Sequence, residues 1–308
     1  MEKESRIYVA GHTGLVGSAI LSSLKEKGYT NIITREHKEL DLQNEAEVES
    51  FFHYDRIEYV FLAAAKVGGI YSNSNYPAEF IYRNLKIQTN VIHNAKEWGV
   101  NKLLFLGSSC IYPRDCRQPM GETDLLTGEL ESTNEAYAIA KIAGIKMCQA
   151  YNKQYGTNFI SAMPTNLYGP NDNFDIFNGH VIGSLVAKFA MAKNGKHPVQ
   201  IMGTGIARRE FLYSEDCADA LIFLMNNYED TRIINVGSNE YITIKELVQI
   251  LCELFDYHDV KWNRIGSDGT LAKKLDTTRL ERLGWKYSTT LREGLEKTIR
   301  NYYERTTV

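Results

Sequence analysis

The chain has 308 residues, enough for one large domain or two modest ones. Hydrophobic residues make up 44%, an ordinary share for a globular protein, and a net charge of −3 offers no electrostatic grip on nucleic acid or an acidic membrane surface. No apolar run reaches membrane-spanning length, because VFLAAAKVGGI is short and interrupted by Lys66. The opening MEKESRIYVAG lacks the apolar run of a secretory signal. The five cysteines have no metal-type spacing, so reduced thiols, a cytoplasmic location and no metal are expected. Cys148, Cys217 and Cys252 fall in predicted helices and read as small core residues.

In chain order, RIYVA (6–10) reads as a short buried strand, GHTGLVG (11–17) as a glycine turn and AILSSLKEKG (19–28) as a helix. That succession opens a dinucleotide fold, whose glycines let a pyrophosphate approach the backbone at a helix N-terminus. NIIT (31–34) is the second predicted strand. The residues just beyond it, where such folds choose between a ribose hydroxyl and a 2′-phosphate, are mixed: Glu36 stands among Arg35, His37 and Lys38. A helix over EAEVESFFHY (45–54) leads to strands YVFLAAA (59–65), KLLFLGSSC (102–110) and FISAM (159–163). Strands alternating with helices predict an α/β fold with a doubly wound parallel sheet, the Rossmann arrangement.

Past Pro170 the texture changes. NDNFDIFNGH (171–180) is loop-like, HVIGSLVAKFAMAKNG (180–195) helical and VQIMGTG (199–205) a short strand. REFLYSEDCADALIFLM (209–225) predicts a helix with Ser214 as N-cap, and IINVGS (233–238) a sixth strand of the sheet. ITIKELVQILCELF (242–255), the segment around 278–283 and TLREGLEKTIRNYYER (290–305) read as amphipathic helices. With no repeat or linker in sight, the expected division is interleaved. Residues 1–170, with 211–240 returning, form the dinucleotide domain, and 171–210 with 241–308 form a smaller α/β substrate domain.

The chemistry is expected in STNEAYAIAKIAGIKMC (132–148), which holds Tyr137-x-x-x-Lys141. On a helix this spacing puts both side chains on one face, one turn apart. A phenol titrates at about 10, and a neighbouring ammonium lowers that value, so the pair can move a proton near neutral pH. Tyr82/Lys86, Tyr241/Lys245 and Tyr257/Lys261 share the spacing. Only Tyr137 follows an apolar strand ending in Ser-Ser-Cys a few tens of residues upstream.

GHTGLVGSAI, LAAAKVGGI, FLGSSCIYP, NEAYAIAKIAGIKMC, MPTNLYGPNDNF and RREFLYSEDCA together resemble the GDP-L-fucose synthases, a branch of the extended short-chain dehydrogenase/reductase group. The resemblance implies a two-step reaction on GDP-4-keto-6-deoxy-mannose: epimerisation at C-3 and C-5, then reduction of the C-4 ketone by NADPH. It implies Cys110 as base and His180 as acid. A charged histidine near the thiol would favour the thiolate, whose reference pKa is about 8.5. It implies that Ser108 holds the ketone oxygen beside Tyr137, with Ser109 a rival that spacing does not separate, and that Lys141 binds the nicotinamide ribose.

For the cofactor the resemblance points to Gly11, His12, Thr13, Gly14, Leu15, Val16 and Gly17, and to Asp41 and Leu42 near adenine. It adds Leu106, Gly107, Ser108 and Ser109, then Pro164, Thr165, Asn166 and Leu167, and Lys141 and His180. For the GDP-sugar it points to Asn166, Lys188, Met202, Arg209 and Asp268. Thr13 and His37 stand where the family carries arginines, which leaves NAD(H) open as an alternative to NADP(H). Met202 replaces a tryptophan and Ala272 an arginine, which leaves open a related substrate such as a GDP-4-keto-6-deoxy-heptose, reduced without epimerisation. A homodimer is also implied, and the helical faces around IQTNVIHNAKEW (87–98) and IAKIAGIKMCQAY (139–151) could supply its interface or simply pack the core.

Overall fold

The computed structural model describes residues 1–263 and 270–306. Its strands are β1 (Ile7–Ala10), β2 (Ile32–Ile33), β3 (Tyr59–Leu62), β4 (Lys102–Leu106), β5 (Phe159–Pro164), β6 (Asn166–Tyr168), β7 (Val199–Met202), β8 (Arg208–Tyr213), β9 (Ile234–Val236), β10 (Tyr241–Thr243), β11 (Val260–Asn263) and β12 (Ala272–Lys273). Its helices are α1 (Leu15–Glu26), α2 (Glu45–Asp55), α3 (Ile70–Asn75), α4 (Pro77–Glu97), α5 (Glu135–Tyr155), α6 (Val181–Gly195), α7 (Ser214–Asn227), α8 (Ile244–Phe255), α9 (Thr278–Arg282) and α10 (Leu291–Thr306). Among the described residues no helix is long and apolar enough to cross a membrane.

Six strands form a parallel sheet in the order β2-β1-β3-β4-β5-β9. Both of its faces are buried, and side chains alternate between them. Tyr8, Ala10, Val60, Leu62, Leu103 and Phe105 join the core under α2, α4 and α5. Ile7, Val9, Phe61, Leu104 and Leu106 join the core under α1 and α7. The chain reverses direction across the sheet between β1 and β3, and a ligand crevice opens beyond the carboxyl ends of strands at such a point. Cys148 and Cys217 are sealed in these two cores and Cys252 in a third, as expected of small apolar fillers.

The third core lies among α6, α8, α10, β7 and β8. Here the expectation for residues 209–213 is corrected. They are strand β8, flanked by β10 and β12 and paired with β6. α7 starts at Ser214 with Tyr213 as its N-cap. The apolar run FLY suits a helix or a buried strand equally, and its pairing with β6 decides for the strand. α8 opens with a full capping box: the Thr243 hydroxyl accepts from Glu246 N–H, while the Glu246 carboxylate accepts from Thr243 N–H.

Candidate active site

The crevice begins where β1 ends. Gly11 has φ +82°, and a Cβ there would lie 2.9 Å from the Ala64 backbone beyond β3. A Cβ on Gly17 would lie 2.0 Å from the Gly11 carbonyl oxygen, so the turn closes onto α1 only because both residues lack side chains. Gly14 is the N-cap of α1 and carries no capping side chain, so first-turn N–H groups stay available to an anion. Thr13 is exposed, and Leu15 and Val16 are half-buried. The Nδ1 atom of His12 is buried with no partner in the protein. A glycine cradle, an open helix start and an orphaned ring nitrogen fit a dinucleotide.

Along the rim after β2 the charges are already engaged. Arg35 pairs with Asp55 at 2.9 Å and lies over the Phe51 ring. Lys38 pairs with Glu36 at 2.8 Å, and exposed His37 sits 3.6 Å from Asp41. Asp41 also accepts from Gln43 N–H. The Leu42 side chain belongs to the core, and its carbonyl accepts from Asn90.

β4 delivers the next group. Leu106 and Gly107 are buried, and a 3₁₀ turn over Ser109–Ile111 follows. The turn separates the two serines. Ser109 is only 5% exposed. Ser108 stays accessible, and its Oγ accepts from Cys110 N–H at 3.2 Å. The Tyr137 phenol lies near enough to Ser108 for that hydroxyl to favour its ionised form. α5 reaches this place because Gly144 lets it settle on the sheet: a Cβ there would lie 2.4 Å from the Phe105 ring. Gln88 on α4 fastens α5 by donating to the Ala140 carbonyl at 2.6 Å.

Tyr137 and Lys141 share a face of α5, as their spacing predicts, with Lys141 Nζ 5.8 Å from the Tyr137 ring centre. Tyr82 lies on α4 but is 62% exposed, Tyr241 is in a strand, and Tyr257 lies beyond α8. The electrostatics differ from expectation. Burial pushes the Tyr137 phenol above its ordinary value and the nearby Cys110 adds to this, while the Ser108 hydroxyl opposes them. Burial also pulls Lys141 down to about 7, and its Nζ donates to the Leu106 carbonyl at 2.7 Å. A half-discharged ammonium turned toward a carbonyl gives the phenol little help.

His180 is the N-cap of α6, and its carbonyl accepts from Ser184 N–H. Its loop is tied to the sheet side of the crevice. Gly69 N–H donates to the Asn178 carbonyl, Ser72 donates to Asn178 Oδ1 at 2.6 Å, and Ser74 donates to the Thr133 carbonyl near the start of α5. His180 is exposed to solvent, yet the protein around it lowers its pKa by desolvation. A charged His180 beside the thiol, expected from sequence, is therefore disfavoured in this state. What touches the Cys110 sulfur is Asn134, whose Nδ2 donates to Sγ at 3.3 Å. Sequence reasoning passed over Asn134, because an asparagine just before a helix reads as a cap.

Pro164 ends β5, and Thr165 and Asn166 both donate to the Glu210 carbonyl on β8. Leu167 packs half-buried behind them. Arg209, next along β8, is half-buried. Lys188, on α6 beyond His180, is half-buried and its pKa is lowered by burial. Met202 ends β7 and is 59% exposed. Ala272 pairs with Arg208 in register. Asp268 lies outside the described residues.

Residues 7–237 match the family described as "NAD dependent epimerase/dehydratase family". The chain belongs to that family. It is 53% identical to GDP-L-fucose synthase 1 of Arabidopsis thaliana over 96% of this chain and 93% of the relative. Among solved structures, it superposes with a TM-score of 0.93 on a GDP-6-OMe-4-keto-L-xylo-heptose reductase from C. jejuni, 34% identical over 99% of each chain. A GDP-L-fucose synthetase from Naegleria fowleri bound to NADP also gives a TM-score of 0.93, at 27% identity over 100% of this chain and 97% of the other. Within the family the chain stands with the GDP-L-fucose synthases, its 53% identity to the Arabidopsis enzyme exceeding the 34% to the heptose enzyme.

Proposed function

We propose that this chain epimerises GDP-4-keto-6-deoxy-D-mannose at C-3 and C-5 and then reduces C-4 to give GDP-L-fucose, with NADPH as cofactor. The observation that carries the reading is the cluster of Ser108, Cys110 and Tyr137, in which the Ser108 hydroxyl accepts from the cysteine backbone and lies beside the phenol. Protons on C-3 and C-5 lie alpha to the ketone, so their removal leaves an enolate. Ser108 and Tyr137 donate to its oxygen. Cys110 takes the proton as a thiolate, and His180 returns one to the opposite face. The substrate's diphosphate favours the charged form of His180 that crowding alone opposes. Burial keeps the proton on Tyr137 until the ketone oxygen needs it.

When bound, the nicotinamide cofactor supplies the hydride for C-4. Gly11–Gly17 would cradle its pyrophosphate, and Lys141 would donate to its ribose and assist Tyr137. Asn166, Lys188 and Arg209 would hold the GDP end, arginine by its two-pronged grip on phosphate. On this reading residues 1–170 and 211–240 bind the dinucleotide, while 171–210 and 241–308 bind the sugar nucleotide. Five free thiols suit a cytoplasmic enzyme. The exposed Tyr82, Ile139 and Tyr155 on α4 and α5 suit a homodimer, which sedimentation of a monomer at micromolar concentration would exclude.

Turnover in deuterated water tests the epimerase half. Solvent deuterium should appear at C-3 and C-5 and not at C-4, and Cys110→Ser should suppress it while Ser108, Tyr137 and Lys141 still support reduction. Product formed at normal rate without carbon-bound deuterium would leave a C-4 reductase only.

A further inference from the structure

We infer that Asn134 is a positioning residue for the base, holding the Cys110 sulfur in its thiolate form; the inference rests on Cys110 being the group that takes the carbon-bound protons. Asn134 is the N-cap of α5, and asparagine is among the best residues there because its Oδ1 accepts from first-turn N–H groups. Here it makes no such bond. Its Nδ2 reaches the Cys110 sulfur instead, and its Oδ1 is left buried with no partner. An uncapped helix start and an unsatisfied buried acceptor both cost stability. One N–H bond to sulfur is what the side chain keeps. Local losses of this kind are expected where a site depends on geometry.

An N–H donated to sulfur favours the anion over the thiol. The uncapped first turn also leaves the positive end of α5 at the residue that touches the sulfur. Ser108 fixes the cysteine backbone while Asn134 fixes the tip of its side chain. Tyr137, which stays protonated, also lies near the sulfur. In the reaction the proton passes from carbon to sulfur and the C–H electron pair enters the enolate. The Asn134 bond is then strongest before the transfer, when the sulfur is charged.

The test is alkylation of Cys110 by iodoacetamide in the full-length enzyme with NADPH bound, read by mass spectrometry. The tryptic peptide 103–114 contains Cys110 and no other cysteine. Asn134→Ala should alkylate about tenfold more slowly at neutral pH, the loss expected for one bond to a charged acceptor. Its rate–pH profile should lie to the alkaline side of wild type, and deuterium exchange into substrate should fall in parallel. Asn134→Asp keeps the shape but only accepts and adds negative charge, so it should be slower still. It carries the test if the alanine variant does not fold and bind NADPH. An aspartate variant that matches wild type would mean that the sulfur donates to Oδ1, and would overturn the inference. Unchanged alkylation of the alanine variant would do the same, and wild-type deuterium uptake would then leave the epimerase reading standing. Slowed alkylation in an enzyme whose wild type takes up no deuterium would uphold the pairing and sink the epimerase reading.

Discussion

Replacing Lys141 by methionine should make the cofactor-free protein more stable at acidic pH while abolishing its chemistry. Lys141 is 3% exposed, and burial draws its pKa from 10.5 to about 7. The unfolded chain keeps the ordinary value, so folding weakens the hold on this proton. Below about pH 7 both states carry it, and the folded state bears the whole penalty of a buried ammonium. Between about 7 and 10.5 only the unfolded state holds it, so wild-type stability gains roughly 1.4 kcal/mol per pH unit from this group. A separation of about 3.5 units puts the acid-side penalty on the order of 5 kcal/mol. Methionine removes the charge but leaves the Leu106 carbonyl without the donor it had at 2.7 Å. That loss costs about 1–3 kcal/mol. The net is a gain on the order of 2–4 kcal/mol at acidic pH, or several degrees in Tm. The gain should shrink as pH rises through that window and change sign as pH approaches the unfolded value, because the carbonyl loss remains. Thermal unfolding of both proteins without cofactor at about pH 6 and about pH 9.5 measures it. A variant less stable at the lower pH, or a difference that does not shrink with pH, would refute the burial argument.

Tyr137→Phe removes the proton donor and the partner of Ser108, so turnover should fall about 10²- to 10⁴-fold with NADPH binding nearly intact. A variant keeping more than about half of wild-type turnover would send the search to another donor. NADPH should be preferred over NADH only modestly in kcat/KM, because Arg35 is held by Asp55 and Lys38 by Glu36. A clear preference for NADH would overturn the 2′-phosphate reading of that rim.

The parts of this protein written locally were legible in the chain. Gly11 and Gly17 follow a buried strand at the spacing a tight turn into a helix requires, and they sit where a Cβ would strike backbone. Tyr137 and Lys141 are one turn apart because helix geometry makes them so, and the alternation of Ile7, Tyr8, Val9 and Ala10 between two cores follows from the pleat. Other features depended on what surrounds a residue. Ser108 and Ser109 are chemically alike, and only the 3₁₀ turn buries one and leaves the other facing Tyr137. FLY at 211–213 became a strand because β6 pairs with it residue by residue, continuing a strand whose first half lies between β10 and β12. Burial reversed the sign expected for Tyr137 and drained the charge from Lys141, since desolvation grows with neighbours brought in from distant parts of the chain. Asn134 shows the same division. Its place before α5 made it a cap by sequence, and the approach of Cys110, 24 residues away, turned its side chain to the sulfur instead.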